Sequence, residues 1–294
     1  LARLVREARL PREAVPTALA GDPRVLAATV GTMPPHALVR NLNRLAAHGM
    51  VPGDDEATAL VLRRLADVEA LGRARLHPFT LWVAARQYAL GKGGLGHLVW
   101  QPAGEVVDAL DAAVNGLAAA VTPSGRRLLV ALDLSGSMGV GVAGSALSAK
   151  AAAAGFASLL VRIEPRVRVI GFDTRIHPLP LTPRQRIDDA IRLVEATGGG
   201  GTDGSLPFAW ARERGVAFDG MVILTDHETW AGREHVVQAL ARYRREVAPV
   251  RVVTAALTAT GTAVVPVGDP LSLGIAGLDA GLPQLVTWFM VAGR

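Results

Sequence analysis

The chain has 294 residues, 50% of them hydrophobic and 19% charged, which suffices for packed cores and excludes a disordered polymer. It contains no cysteine, so a disulfide framework, a thiol nucleophile and a Cys-based zinc site are excluded. The net charge is +5 and the pI is near 10.5, yet no apolar run reaches the roughly 18 residues of a membrane span.

Residues 1–100 read as short helices punctuated by proline and glycine. Pro11, Pro16, Pro23, Pro34, Pro35, Pro52 and Pro78 stand where helices start or stop. The clearest helix spans Pro35 to Ala47, ended by Gly49. Leu38, Leu42 and Leu45 share one of its faces, and His36, Arg40, Asn43 and Arg44 occupy the other. Asp54-Asp-Glu opens a second helix whose apolar face carries Val61, Leu62, Leu65, Val68 and Leu71. A third runs from His77 to Tyr88, closed by the glycine loop 91–96, and a fourth lies near 104–119. That glycine loop lacks the Lys-Ser/Thr and the preceding strand of a phosphate-binding loop. His77 and His97 each lack a partner at metal-ligand spacing and read as structural or exposed.

Val121-Thr-Pro-Ser-Gly-Arg126 separates helical from strand-like sequence, so domains are expected at 1–121 and 122–294. Downstream, strands are predicted at 127–133, 167–173, 220–225, 250–256 and about 262–267. Helices are predicted at 144–162, 183–196, 204–214, 232–246 and 282–291. Alternation of this kind predicts a doubly wound, Rossmann-like α/β sheet. Ligands of such sheets bind in the crevice beyond the carboxyl ends of the strands.

Three loops place oxygen donors at that crevice. Asp133-Leu-Ser135-Gly-Ser137 follows an apolar, β-branched run. Gly198-Gly-Gly-Gly-Thr202-Asp203 approaches a helix start, and Asp226 ends the hydrophobic run Met-Val-Ile-Leu-Thr. Asp133, Ser135, Ser137, Thr202 and Asp226, in this order and at these element ends, match the metal-ion-dependent adhesion site of von Willebrand factor A domains. A hard cation suits them: Mg²⁺ takes oxygen ligands and keeps waters, although another divalent cation would serve. The two serine hydroxyls are the expected direct ligands, and an open position would accept a carboxylate or phosphate oxygen from a partner. Taken singly, Ser135, Ser137 or Thr202 reads as a helix cap, and Asp203 is expected to cap or support. Asp226-His227-Glu228 is not a catalytic triad. An aspartyl-nucleophile phosphatase would want an acid where Ser135 stands, and no nucleophile–base pair is placed elsewhere, so no enzyme is expected.

Several stretches together resemble the Ro autoantigen family, whose members join helical HEAT-like repeats, the TROVE module, to a von Willebrand factor A domain. They are Met33-Pro-Pro-His-Ala-Leu-Val-Arg-Asn-Leu42, Ala74-Arg-Leu-His-Pro-Phe79, Ala109-Leu-Asp-Ala-Ala113, Asp133-Leu-Ser-Gly-Ser-Met138, Gly200-Gly-Thr-Asp-Gly-Ser-Leu-Pro207 and Thr225-Asp-His-Glu-Thr-Trp-Ala-Gly232. The resemblance implies a cytoplasmic RNA-binding protein of noncoding-RNA quality control, with structured or misfolded RNA and Y-like RNA as partners. It also implies an adaptor for an exoribonuclease, with Thr202 joining the metal directly in one conformation and Asp133 and Asp226 acting through water. The family's helical module is several repeats longer and its Y RNA surface lies mainly upstream of Leu1, so a fragment or a shortened relative is expected. The lack of an initiating Met agrees with a fragment.

Arginine carries nearly all the positive charge, since Lys92 and Lys150 are the only lysines, and arginine favours bidentate contact with phosphate or carboxylate. The excess is spread evenly: 14 basic against 11 acidic side chains over 1–126, and 17 against 15 over 127–294. Charge alone therefore does not assign nucleic-acid binding. His36, Arg40 and Arg44 are RNA-contact candidates from their shared helical face, weighed against an ordinary solvated face. The alternative function is a Mg²⁺-dependent protein-interaction module that binds an acidic partner without RNA.

Overall fold

In a computed structural model the described residues are 1–19, 21–93, 97–142, 147–226, 232, 234–258, 266, 268–277 and 282–291. The chain falls into two compact units, Leu1–Ala120 and Val121–Arg294. None of its described helices is long and apolar enough to cross a membrane.

The first unit is helical: α1 (Ala2–Glu7), α2 (Pro23–Ala28), α3 (Pro35–Ala47), α4 (Asp55–Ala66), α5 (Val68–Arg73), α6 (Pro78–Ala89) and α7 (Gly104–Ala120). α3 has the predicted bounds and buries Leu38, Leu42 and Leu45. The second predicted helix is two. Asp67 leaves helical geometry (φ −81°, ψ 73°) and its carboxylate accepts from Ala70 N at 2.9 Å, ending α4 and capping α5. Val68 and Leu71 therefore belong to a separate helix from Val61 and Leu65. α7 packs against α4, α5 and α6.

The second unit is a six-stranded sheet in the order β3-β2-β1-β4-β5-β6. Its strands are β1 (Leu128–Asp133), β2 (Val167–Phe172), β3 (Ile176–Pro178), β4 (Gly220–Thr225), β5 (Arg251–Ala256) and β6 (Ser272–Ala276). All pairings are parallel except β2 with β3. Every residue of β1 and β4 is buried, as unbroken apolar runs require of central parallel strands. α8 (Ala149–Ile163) packs on β1 beside α9 (Ile187–Glu195). The side of the sheet bearing Leu129, Ala131, Met221 and Ile223 forms one core with Phe208 of α10 (Leu206–Glu213) and Leu240 and Tyr243 of α11 (Val236–Glu246). α12 (Leu282–Val291) packs against β5.

β3 and β6 were not predicted from sequence: the first is three residues long and the second is only partly buried, so neither carries an apolar run. The strand predicted at about 262–267 lies outside the described residues except for Pro266, which is in no regular element.

Candidate metal centre

The crevice is built where β1 and β4 stop side by side. Asp133 is fully buried and Asp226 is 4% exposed. Asp133 is anchored through both oxygens: Oδ1 accepts from Ser135 N at 2.8 Å, and Oδ2 accepts from the Thr225 hydroxyl at 2.7 Å. Ser135 Oγ and Ser137 Oγ are 3.1 Å apart, so the two hydroxyls of the Asp-x-Ser-x-Ser loop converge. A short 3₁₀ turn, Gly136–Gly139, carries Ser137.

The glycine-rich loop docks directly on this turn. Gly136 N donates to Gly200 O at 3.2 Å, and Thr202, two residues further on, is 3% exposed. Leu134 fills the space beneath. A Cβ on Gly171 of β2 would lie 2.3 Å from Leu134 Cδ1, and one on Gly198 would lie 2.6 Å from Leu134 Cβ, at a φ of +77° that already favours glycine.

Asp173, at the end of β2, fixes the same loop from behind. Its Oδ1 accepts from His177 Nε2 at 2.9 Å and Arg175 N at 3.0 Å, its Oδ2 from Gly200 N at 3.4 Å, and its main-chain oxygen from Asp203 N at 2.8 Å. Burial opposes the charge on Asp173, but these hydrogen bonds and the neighbouring imidazole hold its carboxyl below the ordinary aspartate value. Lys150 Nζ donates to Thr197 O at 3.2 Å. Burial lowers the lysine's pKa, while Asp133, Glu195 and Asp173 attract its charge. Asp203 supports the turn ahead of α10 without capping the helix itself, its Oδ1 accepting from the N-cap residue Ser205 through N at 3.0 Å and Oγ at 2.6 Å.

The donor set fits a hard divalent cation. Burial pushes the Asp133 carboxyl up to about 6, hydrogen bonds from Ser135 and Thr225 pull it back, and the like charge of Asp226 adds to the rise. Two buried carboxylates with convergent hydroxyls form a donor set that would hold a Mg²⁺ ion, whose charge would offset theirs. Among the described residues no three His, Asp or Glu side chains gather as a metal cluster, so a site here depends on hydroxyl oxygens rather than on a histidine or carboxylate cage. His227 and Glu228 lie outside the described residues.

Sequence reasoning missed Asp173, His177 and Lys150. Asp173 was legible in principle, because like Asp133 and Asp226 it ends an apolar strand run.

The other candidates separate. His36 Nε2 lies 2.8 Å from Ala74 O, and Arg44 Nη2 donates to Gly21 O at 3.4 Å. Arg40 is exposed and lines a cleft of about 400 Å³ with Arg12, Glu13, Thr32 and Asn41. His77 caps α6, Nδ1 accepting from Phe79 N at 3.1 Å, and His97 is exposed.

A mainly parallel sheet flanked by helices, with these loops at its carboxyl edge, defines a von Willebrand factor A domain, here following a helical unit. The Ro60 vWA domain matches residues 127–290 and the TROVE domain matches residues 11–89. The chain belongs to the Ro60 family. It is 38% identical over 293 residues to the RNA-binding protein RO60 of Deinococcus radiodurans, covering 98% of this chain and 55% of that protein. It is 34% identical over 261 residues to the RNA-binding protein RO60 of Caenorhabditis elegans, covering 88% of this chain and 40% of that one. The crystal structure of the Deinococcus radiodurans RO (RSR) protein superposes with a TM-score of 0.87 at 36% identity, covering all of this chain and 60% of the other. The chain thus spans roughly half the length of these relatives.

Proposed function

We propose that this chain is an RNA-binding scaffold of Ro60 type, which engages structured or misfolded noncoding RNA, including Y-like RNA, in RNA quality control. The observation that carries the reading is the likeness over the whole chain, helical unit and A domain together, to relatives named as RNA-binding proteins. In the helical unit, Arg40 and Arg12 line one exposed cleft and offer guanidinium groups to phosphate. The A domain holds Mg²⁺, or another divalent cation, through Ser135, Ser137 and Thr202, with Asp133 and Asp226 completing the site. When bound, that ion supplies a coordination position for a carboxylate or phosphate oxygen of a partner, an exoribonuclease among the classes this would suit. Asp173 and Lys150 position the loop bearing Thr202, and Thr225 holds Asp133.

Electrophoretic shift with a structured RNA over a salt series tests the RNA reading. Affinity falling steeply with salt is expected, because neutralised phosphates release counterions. Absence of a shift at the lowest salt contradicts it.

A second reading, a Mg²⁺-dependent protein-interaction module without RNA binding, is favoured by the buried Asp133–Asp226 pair beside convergent hydroxyls. Pull-down with and without chelator, using wild type and Asp133→Ala, separates the two.

A further inference from the structure

Several arginines of the A domain lie at the amino edge of its sheet. Leu128 of β1 pairs in register with Val167 of β2 and with Gly220 of β4, and Gly220 pairs with Arg251 of β5. The first residues of these parallel strands therefore form one row at the amino edge of the sheet. Arg127 precedes that row on β1, Arg166 and Arg168 flank it on β2, and Arg251 lies in it on β5. α10 runs back from the crevice to the same edge and is followed by Arg214. Five residue steps along β1 separate this edge from Asp133, about 16 Å.

Arg127 and Arg166 have oxygen partners, and Arg251 is only half-exposed. Arg127 donates its N–H to Asp219 Oδ2 at 2.7 Å, with Nε 3.8 Å from the same oxygen. Arg166 binds Gly125 O, and Arg251 lies over the Phe289 ring at 5.3 Å. Glu164, a buried carboxylate near this edge, accepts from Ser124 N and Gly125 N. Arg168 and Arg214 differ. Both are exposed, and both lie against the half-buried indole of Trp210, their guanidinium carbons 5.8 Å and 4.7 Å from its centroid. Among the described residues neither has a carboxylate within ion-pair distance. The indole orients both guanidinium groups without neutralising them, and leaves their N–H donors to solvent.

We infer that Arg168, Trp210 and Arg214 form a second RNA contact, on the A domain at the edge opposite the metal crevice, which takes single-stranded RNA. Two pre-oriented, unneutralised guanidinium groups suit successive phosphates, and their planes with the indole edge offer stacking surface to unpaired bases. An acidic protein segment would use the charge but gain nothing from the stacking surface. For its ligand class the inference rests on the RNA reading above, but it concerns a different surface.

Fluorescence anisotropy of the full chain with a labelled 15-nucleotide oligouridylate, and separately with a structured hairpin RNA, over a salt series in EDTA, tests it. Arg168→Ala/Arg214→Ala, which retains the core-packed Trp210, should weaken oligouridylate binding about tenfold or more. It should also flatten the log–log salt slope by about 1.4, the value for two single-strand phosphate contacts. Unchanged affinity and slope in the double variant, or wild-type protein that does not bind oligouridylate, overturns the inference. Failure of the hairpin to bind wild type instead counts against the RNA reading of the helical unit. A second double variant, Arg168→Lys/Arg214→Lys, should retain the slope and lose affinity severalfold, because charge persists while planar stacking is lost.

Discussion

Thr225, the last residue of β4, donates its hydroxyl to Oδ2 of Asp133, the last residue of β1, across 2.7 Å in the buried crevice. The two central strands thus meet at the carboxylate on which the metal reading depends. Thr225→Val keeps the shape and removes the donor. Mg²⁺ affinity measured by calorimetry is expected to fall about tenfold, corresponding to one charge-assisted hydrogen bond of roughly 1.4 kcal/mol. Affinity equal to wild type would show that the hydroxyl does not hold the carboxylate for the ion.

Asp173 bears on the same site from the other side. Asp173→Ala removes the acceptor for His177, Arg175 N and Gly200 N together, and a stability loss of about 2–4 kcal/mol in urea titration is expected. Its carboxyl is held below its ordinary value of 3.8, so its contribution is present at neutral pH and lost as pH falls through the lower folded value. Gly198→Ala probes the loop by shape alone: the new methyl meets Leu134 at a positive φ. It should lower Mg²⁺ affinity more than tenfold, with Thr202 displaced.

His77 provides a pH dependence in the helical unit. Burial pushes its pKa down to about 4, and Nδ1 must stay unprotonated to accept from Phe79 N. The unfolded chain takes a proton near 6.5 and the folded one does not until about 4. Stability is therefore present above 6.5 and lost as pH falls from 6.5 towards 4, by up to about 3 kcal/mol. His77→Asn keeps a capping oxygen and removes the titration. Denaturation midpoints followed from pH 7 to 4.5 should fall less steeply in the variant than in wild type.

Tyr243 is fully buried and its hydroxyl donates to Val216 O at 2.8 Å while accepting from Phe218 N at 2.9 Å. Tyr243→Phe leaves both main-chain groups unsatisfied, costing about 2–3 kcal/mol in thermal or urea unfolding without altering Mg²⁺ affinity.

Much of this architecture could be read from residues alone, for reasons that also explain the misses. β1 and β4 are legible because a strand buried on both faces needs an unbroken apolar run, and α3 because its leucines repeat at helical spacing. The break at Asp67 was hidden because Val68 and Leu71 continue the helical period across it, while a capping aspartate looks like any solvated one. Thr225 and His177 were illegible as site residues: their roles arise from strand register and from an antiparallel strand of three residues, neither of which leaves a local pattern.

The most direct test of the metal centre is calorimetric titration of Mg²⁺ into the full chain and into Asp133→Asn, with thermal unfolding followed in parallel. Saturable binding at one site in wild type, a Mg²⁺-dependent rise in its unfolding temperature, and loss of both in a folded Asp133→Asn are expected. Wild-type protein that takes up no Mg²⁺, or an Asp133→Asn variant that binds as tightly as wild type, would contradict it.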